Sequence, residues 1–295
     1  RIQVAGTLDA SAPNGADGGF IETSAANVSI SNDLRVTTAA STGKTGQWLI
    51  DPVDITIASS GGNVTGSALA TALQNTNVTL DTAGAGNCTG VSCTFSGANG
   101  DIFIKDDINV TAGSADTTLT LKANRNIFMD AGTSITRTGD YKLDTVLWAD
   151  SDASGGGAFW LGNGNTVFSS SATTIASNGG DIILSGGSNL ATGYAEGVNG
   201  VIGNGVTLDR AELLSNGGNI VVRGKSATTS TSIASTDDNS SFNTDGIRLH
   251  GGNTLDAGSG TISLTGIAQG TDASSNGIET NSVGYSTVRS SSSSA

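Results

Sequence analysis

The sequence predicts an all-β fold, namely a parallel β-helix (a solenoid) with loop insertions. Two observations lead to this prediction: the composition, with 43 glycines and only 2 prolines in 295 residues, and a repeated motif. In the motif, Gly or Asn precedes a short strand of alternating apolar residues. It occurs six times, at residues 62–64, 100–104, 126–129, 180–184, 218–222 and 260–264. Repetition on this scale is typical of solenoids.

The spacing of the motif predicts the size of a coil. Gly62 to Gly100 and Gly180 to Gly218 are both steps of 38 residues (100 − 62 and 218 − 180). We interpret this period of about forty as two coils of about twenty residues each, by analogy with other solenoids. Stacked at about 4.8 Å, some fourteen coils would form a rod about 70 Å long.

Glycine pairs mark the corners between the predicted strands. Gly179-Gly180 and Gly217-Gly218 stand at matching positions, and glycine reaches corner backbone angles at low cost. Strands such as 119–121 (Leu-Thr-Leu) should place leucines inward and threonine outward. The polar segments 84–99, 150–158, 186–200 and 226–245 are predicted insertions. We expect one continuous domain over residues 1–289 and a disordered serine-rich tail over 290–295.

Charge and hydropathy narrow the range of partners. The net charge is −13 and the basic residues are scattered, which predicts that nucleic acid is not a partner. No apolar run is long enough for a transmembrane helix. No residue pattern indicates a cofactor.

The two cysteines, Cys88 and Cys93, are separated by four residues and have turn-forming neighbours. A local disulfide is the favoured interpretation, with two free thiols as the alternative. A disulfide would fit an oxidising, extracellular compartment. Two cysteines and one distant histidine cannot complete a four-ligand metal site.

The acidic clusters are candidate catalytic sites because some parallel β-helices degrade polysaccharides. The pair Asp237-Asp238 and the segment 243–245 (Asn-Thr-Asp) are superficially similar to the carboxylates of pectin-degrading hydrolases. The order of motifs differs, and the single His250 has no Arg-x-Lys after it. We therefore predict turn residues in a solvated loop, a corner histidine and no enzyme.

Two further groups have a structural and a functional interpretation. Asp150 and Asp152 could supply oxygen ligands to Ca²⁺, but a structural turn is favoured because the calcium-binding nonapeptide repeat is missing. Trp48 and Trp160 should pack against aliphatic neighbours. Trp148 is the best candidate for an exposed ring that could stack on a glycan.

Six Asn-x-Ser/Thr sequons are candidate glycosylation sites. A chain rich in Asn, Ser and Thr also yields sequons by chance, and a sequon whose side chain points inward could not be used. The sequon residues are Asn27, Asn63, Asn77, Asn87, Asn109 and Asn239.

Two segments resemble a known family in both order and spacing. Residues 18–24 (GGFIETS) and 46–57 (GQWLIDPVDITI) resemble successive motifs of filamentous haemagglutinin-like exoproteins. Residues 67–73 and the repeated Asn-Gly-Gly-Asp/Asn-Ile coils also look like the downstream region of that family. The resemblance covers most of the chain and is sharpest over residues 18–80.

The resemblance implies a right-handed parallel β-helix in a large exoprotein of a Gram-negative-type bacterium. Such proteins are exported by two-partner secretion through an outer-membrane transporter, and they commonly act as adhesins. The family's secretion domain carries Asn-Pro-Asn motifs. Neither Pro13 nor Pro52 lies in one, so we interpret the chain as part of the shaft.

These observations predict a secreted or surface-exposed adhesin or filament shaft. Its expected partners are cell-surface glycans or other surfaces. Neither end shows a capping helix, so we expect a rod that continues or associates end to end. The alternative is a polysaccharide-active lyase or hydrolase, for which a groove lined by three or more carboxylates with shifted pKa values would be the sign.

Overall fold

The computed structural model describes residues 1–83, 99–163, 171–198, 202–228, 244–270, 275–280 and 284–291. Their strands follow a repeating order in which each coil contributes one strand to each of three faces. The first four coils contain β1 (Ile2–Val4), β2 (Thr7–Asp9), β3 (Phe20–Ser24); β4 (Val28–Ile30), β5 (Arg35–Thr37), β6 (Gln47–Asp51); β7 (Ile55–Ile57), α1 (Gly66–Ala72), β8 (Asn77–Asp81); β9 (Ile102–Ile104), β10 (Ile108–Val110) and β11 (Thr117–Lys122).

The remaining coils continue the same order. They contain β12 (Ile127–Asp130), β13 (Ser134–Arg137), β14 (Leu143–Ala149); β15 (Phe159–Asn163), β16 (Thr173–Ala176), β17 (Ile182–Gly186), β18 (Ala195–Glu196); β19 (Val206–Asp209), β20 (Ala211–Leu214), β21 (Ile220–Lys225); β22 (Ile247–His250), β23 (Thr254–Asp256), β24 (Ile262–Ile267); β25 (Ile278–Thr280) and β26 (Thr287–Arg289).

The strands stack into three parallel sheets, which confirms the predicted parallel β-helix. Sheet 1 has nine strands, in the order β3, β6, β8, β11, β14, β17, β21, with β18 and β24 both paired to β21. Sheet 2 has seven strands (β7, β9, β12, β15, β19, β22, β25) and sheet 3 has six (β10, β13, β16, β20, β23, β26). Two short sheets, β1 with β4 and β2 with β5, belong to the first two coils.

The prediction of twenty-residue coils is wrong. In sheet 1, Leu119 pairs with Thr145, a step of 26 residues (145 − 119). Ile220 pairs with Ile262, a step of 42 residues (262 − 220). A coil therefore has three strands, and the period of about forty is one coil enlarged by its insertions. From β3 to β24 sheet 1 climbs seven steps, about 34 Å at 4.8 Å per step, rather than about 70 Å.

The six glycine and asparagine motifs also differ in their roles. Five of them lead into strands: β9 and β12 in sheet 2, and β17, β21 and β24 in sheet 1. The motif at Gly62 leads instead to an isolated bridge at Val64 and then into α1. Thr65 caps this helix by accepting a hydrogen bond from the backbone N–H of Ala68, and the helix occupies the place of a sheet 3 strand between β5 and β10.

Inward side chains form one continuous apolar core. Along β11 the burial alternates as predicted, with Leu119 and Leu121 fully buried and Thr120 between them partly exposed. The core is narrow and is filled by Ile, Val and Leu, with Trp48 and Phe159 as its largest residues. Within the described residues, no helical segment has the length and apolar character that a membrane crossing requires.

The glycine pairs of sheet 1 have two separate causes. The first glycine of each pair has a positive φ, +95° at Gly179 and +120° at Gly217. The second glycine lies against the preceding coil: a Cβ at Gly218 would overlap the carbonyl of Gly180. Gly260, which follows Ser259, holds the same place one coil later, and a Cβ there would overlap the carbonyl of Gly218. Only glycine therefore allows successive corners to stack at strand spacing.

Candidate functional site: the three outward faces

The outward face of sheet 3 carries a row of residues that is rich in hydroxyl groups. Its rows are set by the strand register, which aligns equivalent outward residues of successive coils. Thr174 lies beside Glu212, and its hydroxyl donates a hydrogen bond to the Glu212 carboxylate at 3.2 Å. This row therefore repeats polar groups at the spacing of the coils. The row consists of Ser134, Thr174, Glu212, Thr254 and Thr287.

The outward face of sheet 2 carries aromatic side chains. The rings of Phe103 and Phe128 are stacked with centroids 5.2 Å apart and planes 13° from parallel. Phe128 is only 1% exposed because Ala158, Val198 and Ile202 cover it, and Trp160 packs against the same cluster. The predicted packing role of Trp160 is therefore confirmed, on the outside of the sheet rather than in the main core.

A row of charged residues runs along the end of the same sheet 2 strands. Burial raises the pKa of the Asp130 carboxyl, and the nearby Lys105 ammonium opposes that rise. Two coils further on, Asp209 pairs in register with His250, and Asp209 Oδ1 lies 3.1 Å from His250 Nδ1. His250 is the last residue of β22, where the strand ends, which agrees with the prediction of a corner histidine.

On the outward face of sheet 1, Trp148 is partly exposed, as the sequence predicted for this ring. Its indole N–H donates a hydrogen bond to the carbonyl of Gly187 at 2.7 Å. On the preceding coil, Lys122 pairs in register with Trp148 and places Nζ 5.6 Å from the ring centroid. Lys122 Nζ also lies 2.8 Å from Asp81 Oδ2.

Asp150 belongs to a tight turn, in agreement with the structural interpretation. Its backbone has a positive φ of 50°, and its Oδ1 accepts hydrogen bonds from the backbone N–H groups of Gly155 and Gly156 at 3.1 and 3.2 Å. Burial raises the pKa of this carboxyl to about 6, although the two N–H donors oppose the rise. Asp152 is exposed on the same turn.

Asp245 is not a solvated turn residue, so that prediction is wrong. Its side chain is fully buried at the corner before β22, where its Oδ1 accepts a hydrogen bond from the backbone N–H of Asn276 at 2.9 Å. Asn204 holds the equivalent place one coil earlier and accepts from the backbone N–H of Asp245 at 2.9 Å. Burial, followed by the neighbouring Glu279 carboxyl, raises the pKa of Asp245 to about 8.

A buried ion pair between Arg125 and Asp101 serves the fold. Arg125 Nε and Nη2 bind the two Asp101 oxygens at 2.8 and 2.5 Å, and both side chains are almost fully buried. Asp101 Oδ1 also accepts from the backbone N–H of Asn126, and Asn126 Oδ1 in turn accepts from that of Ala158. The pair therefore ties three successive coils together at one corner. Sequence reasoning missed it because no local pattern joins residues 24 positions apart.

The structure separates the four described sequons into two kinds. Asn63 donates from Nδ2 to the carbonyl of Val28 and accepts at Oδ1 from the backbone N–H of Thr56, so its amide is fully engaged between two coils. Asn77 is engaged in the same way, with Thr45 and Thr118. Asn27 and Asn109 are exposed. Folding therefore leaves Asn27 and Asn109 as the sequons a modifying enzyme could reach.

Several predicted residues lie outside the described part of the chain. Among the described side chains, no three His, Cys, Asp or Glu residues are grouped so as to hold a metal ion. Of the three described carboxyl groups with raised pKa, Asp130 lies at a different corner from Asp150, and Asp245 lies on a later coil than both, so the three do not share one place in the fold. The predicted residues outside the described ranges are Cys88, Cys93, Asn87, Asn239, Asp237, Asp238 and Asn243.

Comparison with models of known protein families finds none that matches the chain. A search of curated proteins likewise finds no match.

Proposed function

We propose that this chain is part of a secreted or cell-surface adhesin shaft of a bacterium, exported through an outer-membrane transporter. It extends the protein from the surface and makes contacts through its outward faces. The observation that carries this proposal is the row of hydroxyl side chains on the outward face of sheet 3, repeated in register over successive coils. A repeated surface of this kind suits many weak contacts whose combined strength is high.

The stacking also suits export as an unfolded chain. Strand pairs join each coil to its neighbours alone, so a coil can fold as soon as the previous one is in place. Bonds such as the one from the Asp181 backbone N–H to Asp144 Oδ1, 2.8 Å long, then join the new coil to the previous one. Folding outside the cell would therefore draw the chain outward without a nucleotide cofactor.

The proposal is tested by coating beads with the purified chain and measuring their attachment to animal cells and to glycan-coated surfaces. We expect that doubling the coating density more than doubles the number of attached beads, because the contacts are multivalent. Beads coated with an unrelated soluble protein of similar negative charge are the control. Attachment no greater than that control on every surface would overturn the proposal.

A second candidate function, hydrolysis of polysaccharide, rests on the charged row of sheet 2. Asp130, with its raised pKa, would serve as the general acid, and Asp209, two coils further on, would supply the second carboxyl group. Release of reducing ends from a polysaccharide panel, abolished by Asp130→Asn and by Asp209→Asn, would favour this candidate over the shaft.

A further inference from the structure

Trp148 has the features of a rigid binding platform rather than of a core residue. It lies on the outward side of β14, between the buried residues Leu147 and Ala149. Because its indole N–H is bonded to Gly187, the ring needs no further polar partner and is fixed in one orientation. A ring that is already fixed loses little conformational freedom when a ligand stacks on it.

Lys122 lies over the ring, with Nζ 5.6 Å from its centroid, and other polar groups lie next to Lys122 and at the corner that follows β11 and β14. Lys122 and Asp81 form an ion pair at 2.8 Å, with 28% and 14% of their side chains exposed. At the adjoining corner, the Ser151 hydroxyl donates to Asn124 Oδ1 at 3.0 Å, and both residues are partly exposed. The site therefore combines an aromatic ring with an ammonium group, a carboxylate and an amide.

This combination matches the chemistry of a pyranose sugar. The apolar C–H face of a pyranose can lie against an aromatic ring. Its neighbouring hydroxyls both donate and accept hydrogen bonds. A carboxylate can accept from them, an ammonium group can donate to them, and an amide can do both. We propose that Trp148, Lys122, Asp81 and Asn124 form a saccharide-binding site on the outward face of sheet 1.

Charge indicates which class of saccharide the site takes. Lys122 is already paired with Asp81, and the chain carries a net charge of −13, so an acidic sugar would meet net repulsion. The ligand is therefore a neutral hexose or N-acetylhexosamine unit within a longer glycan. This inference rests on the proposed adhesive function and assigns one site to it.

The test measures binding of the whole chain to neutral and sialylated oligosaccharides on an array, and then in solution by saturation-transfer NMR. We expect binding of neutral glycans only, with contacts on the ring protons of Trp148. Trp148→Ala should weaken binding about tenfold or more, as expected for a central aromatic contact. Lys122→Gln, which keeps most of the side chain, should weaken it in the same assay even if Trp148→Ala fails to fold.

Tyr141→Ala is the matched control, because Tyr141 is an exposed ring beside a cation, Arg137, at another corner. It should leave binding unchanged. Equal binding by wild type, Trp148→Ala and Lys122→Gln would overturn this site but leave the adhesive function standing. No binding of any neutral saccharide by wild type would also overturn the site, while the bead attachment assay would still decide the adhesive function separately.

Discussion

At the scale of single residues, short polar side chains hold the coils in register. Asp181 Oδ1 accepts from the backbone N–H of Asn219, and Asn219 Oδ1 accepts from that of Thr261, at 2.7 and 3.1 Å. The repeated Asp or Asn after Gly-Gly is explained by this ladder, since each side chain satisfies a backbone donor of the next coil. Asp and Asn serve equally well where the side chain is exposed, but not where it is buried.

The buried case is Asp245, and it leads to a prediction about pH. Its pKa of about 8 in the folded chain is above the unfolded value of 3.8, so the folded state holds the proton more tightly. Its stabilising contribution is therefore complete below about pH 4 and is lost as pH rises to about 8. The Glu279 carboxyl on β25 and the Arg248 guanidinium on β22 act on the same group, in opposite directions.

Asp245→Asn should remove this loss, because an amide stays neutral and can still accept from the backbone N–H of Asn276. Urea unfolding should show the variant more stable than wild type at pH 9, with a shallower decline between pH 5 and 8. The difference in slope should be at most about 1.4 kcal/mol per pH unit. The exposed Asp140→Asn is the control; identical pH profiles for wild type and Asp245→Asn would contradict the prediction.

At the scale of elements, much of the strand pattern could be predicted from the sequence, but the coil could not. Alternating apolar residues fix which side chains of β11 and β24 face the core side. Coil length depends on which strands pair, and residues 26 to 42 positions apart leave no local signal. The helix α1 could have been predicted from the sequence, because Thr65 is a typical N-cap residue and an alanine-rich segment follows it. The strand repeat alone gives no sign of this helix.

Contacts between coils also could not be predicted at the candidate sites, because they depend on which strands pair. Trp148 could be identified from the sequence as the best candidate for exposure because it lies beside Asp150, and in the structure it is partly exposed. Its neighbour Lys122 could not, because only the register between β11 and β14 places the two side by side. The burial of Asp245 could not be predicted, because the serine-rich segment before it indicates a solvated loop. The residue is buried because the next coil covers it.

Because the glycine corners of successive coils are stacked closely, one added methyl group should strongly lower the stability of the fold. Gly218→Ala would force a Cβ into the carbonyl of Gly180, so the two coils would have to separate locally. We expect the free energy of unfolding to fall by about 3 kcal/mol, as for an overpacked core. Gly156→Ala is the control, since its Cβ would meet only Val198 at an ordinary 3.5 Å. Equal urea midpoints for both variants would show that the corners are not tightly stacked.

At the scale of the whole molecule, the three faces differ while the core is continuous. Sheet 3 presents hydroxyls, sheet 2 presents covered aromatic rings and a charged row, and sheet 1 presents Trp148 with its polar neighbours. Because every coil contributes apolar residues to this core, outward residues can vary without loss of the core. A long β-helix can therefore carry several kinds of contact surface along one rod.

The two ends of the described stack are its exposed apolar surfaces. At one end Ile2 and Phe20 are 37% and 58% exposed, and at the other Ile278 and Val288 are 42% and 48% exposed. The outer edges of β3 and β25 are also open in the described structure. Open parallel strands beside apolar side chains favour pairing with another chain. End-to-end contact of this kind is heterologous and forms fibres unless it closes into a ring.

We therefore expect the 295-residue chain to associate reversibly as its concentration rises. The resulting oligomers should lengthen by one molecule at a time. Association should strengthen with added salt, because salt screens the repulsion between chains of net charge −13. The double variant Ile278→Lys, Val288→Lys should stay monomeric in sedimentation velocity runs. Ile183→Lys, an apolar-to-lysine change on the outward face of sheet 1, should associate as wild type does. If it abolished association instead, the contact would be lateral, between faces of neighbouring rods, and not between their ends.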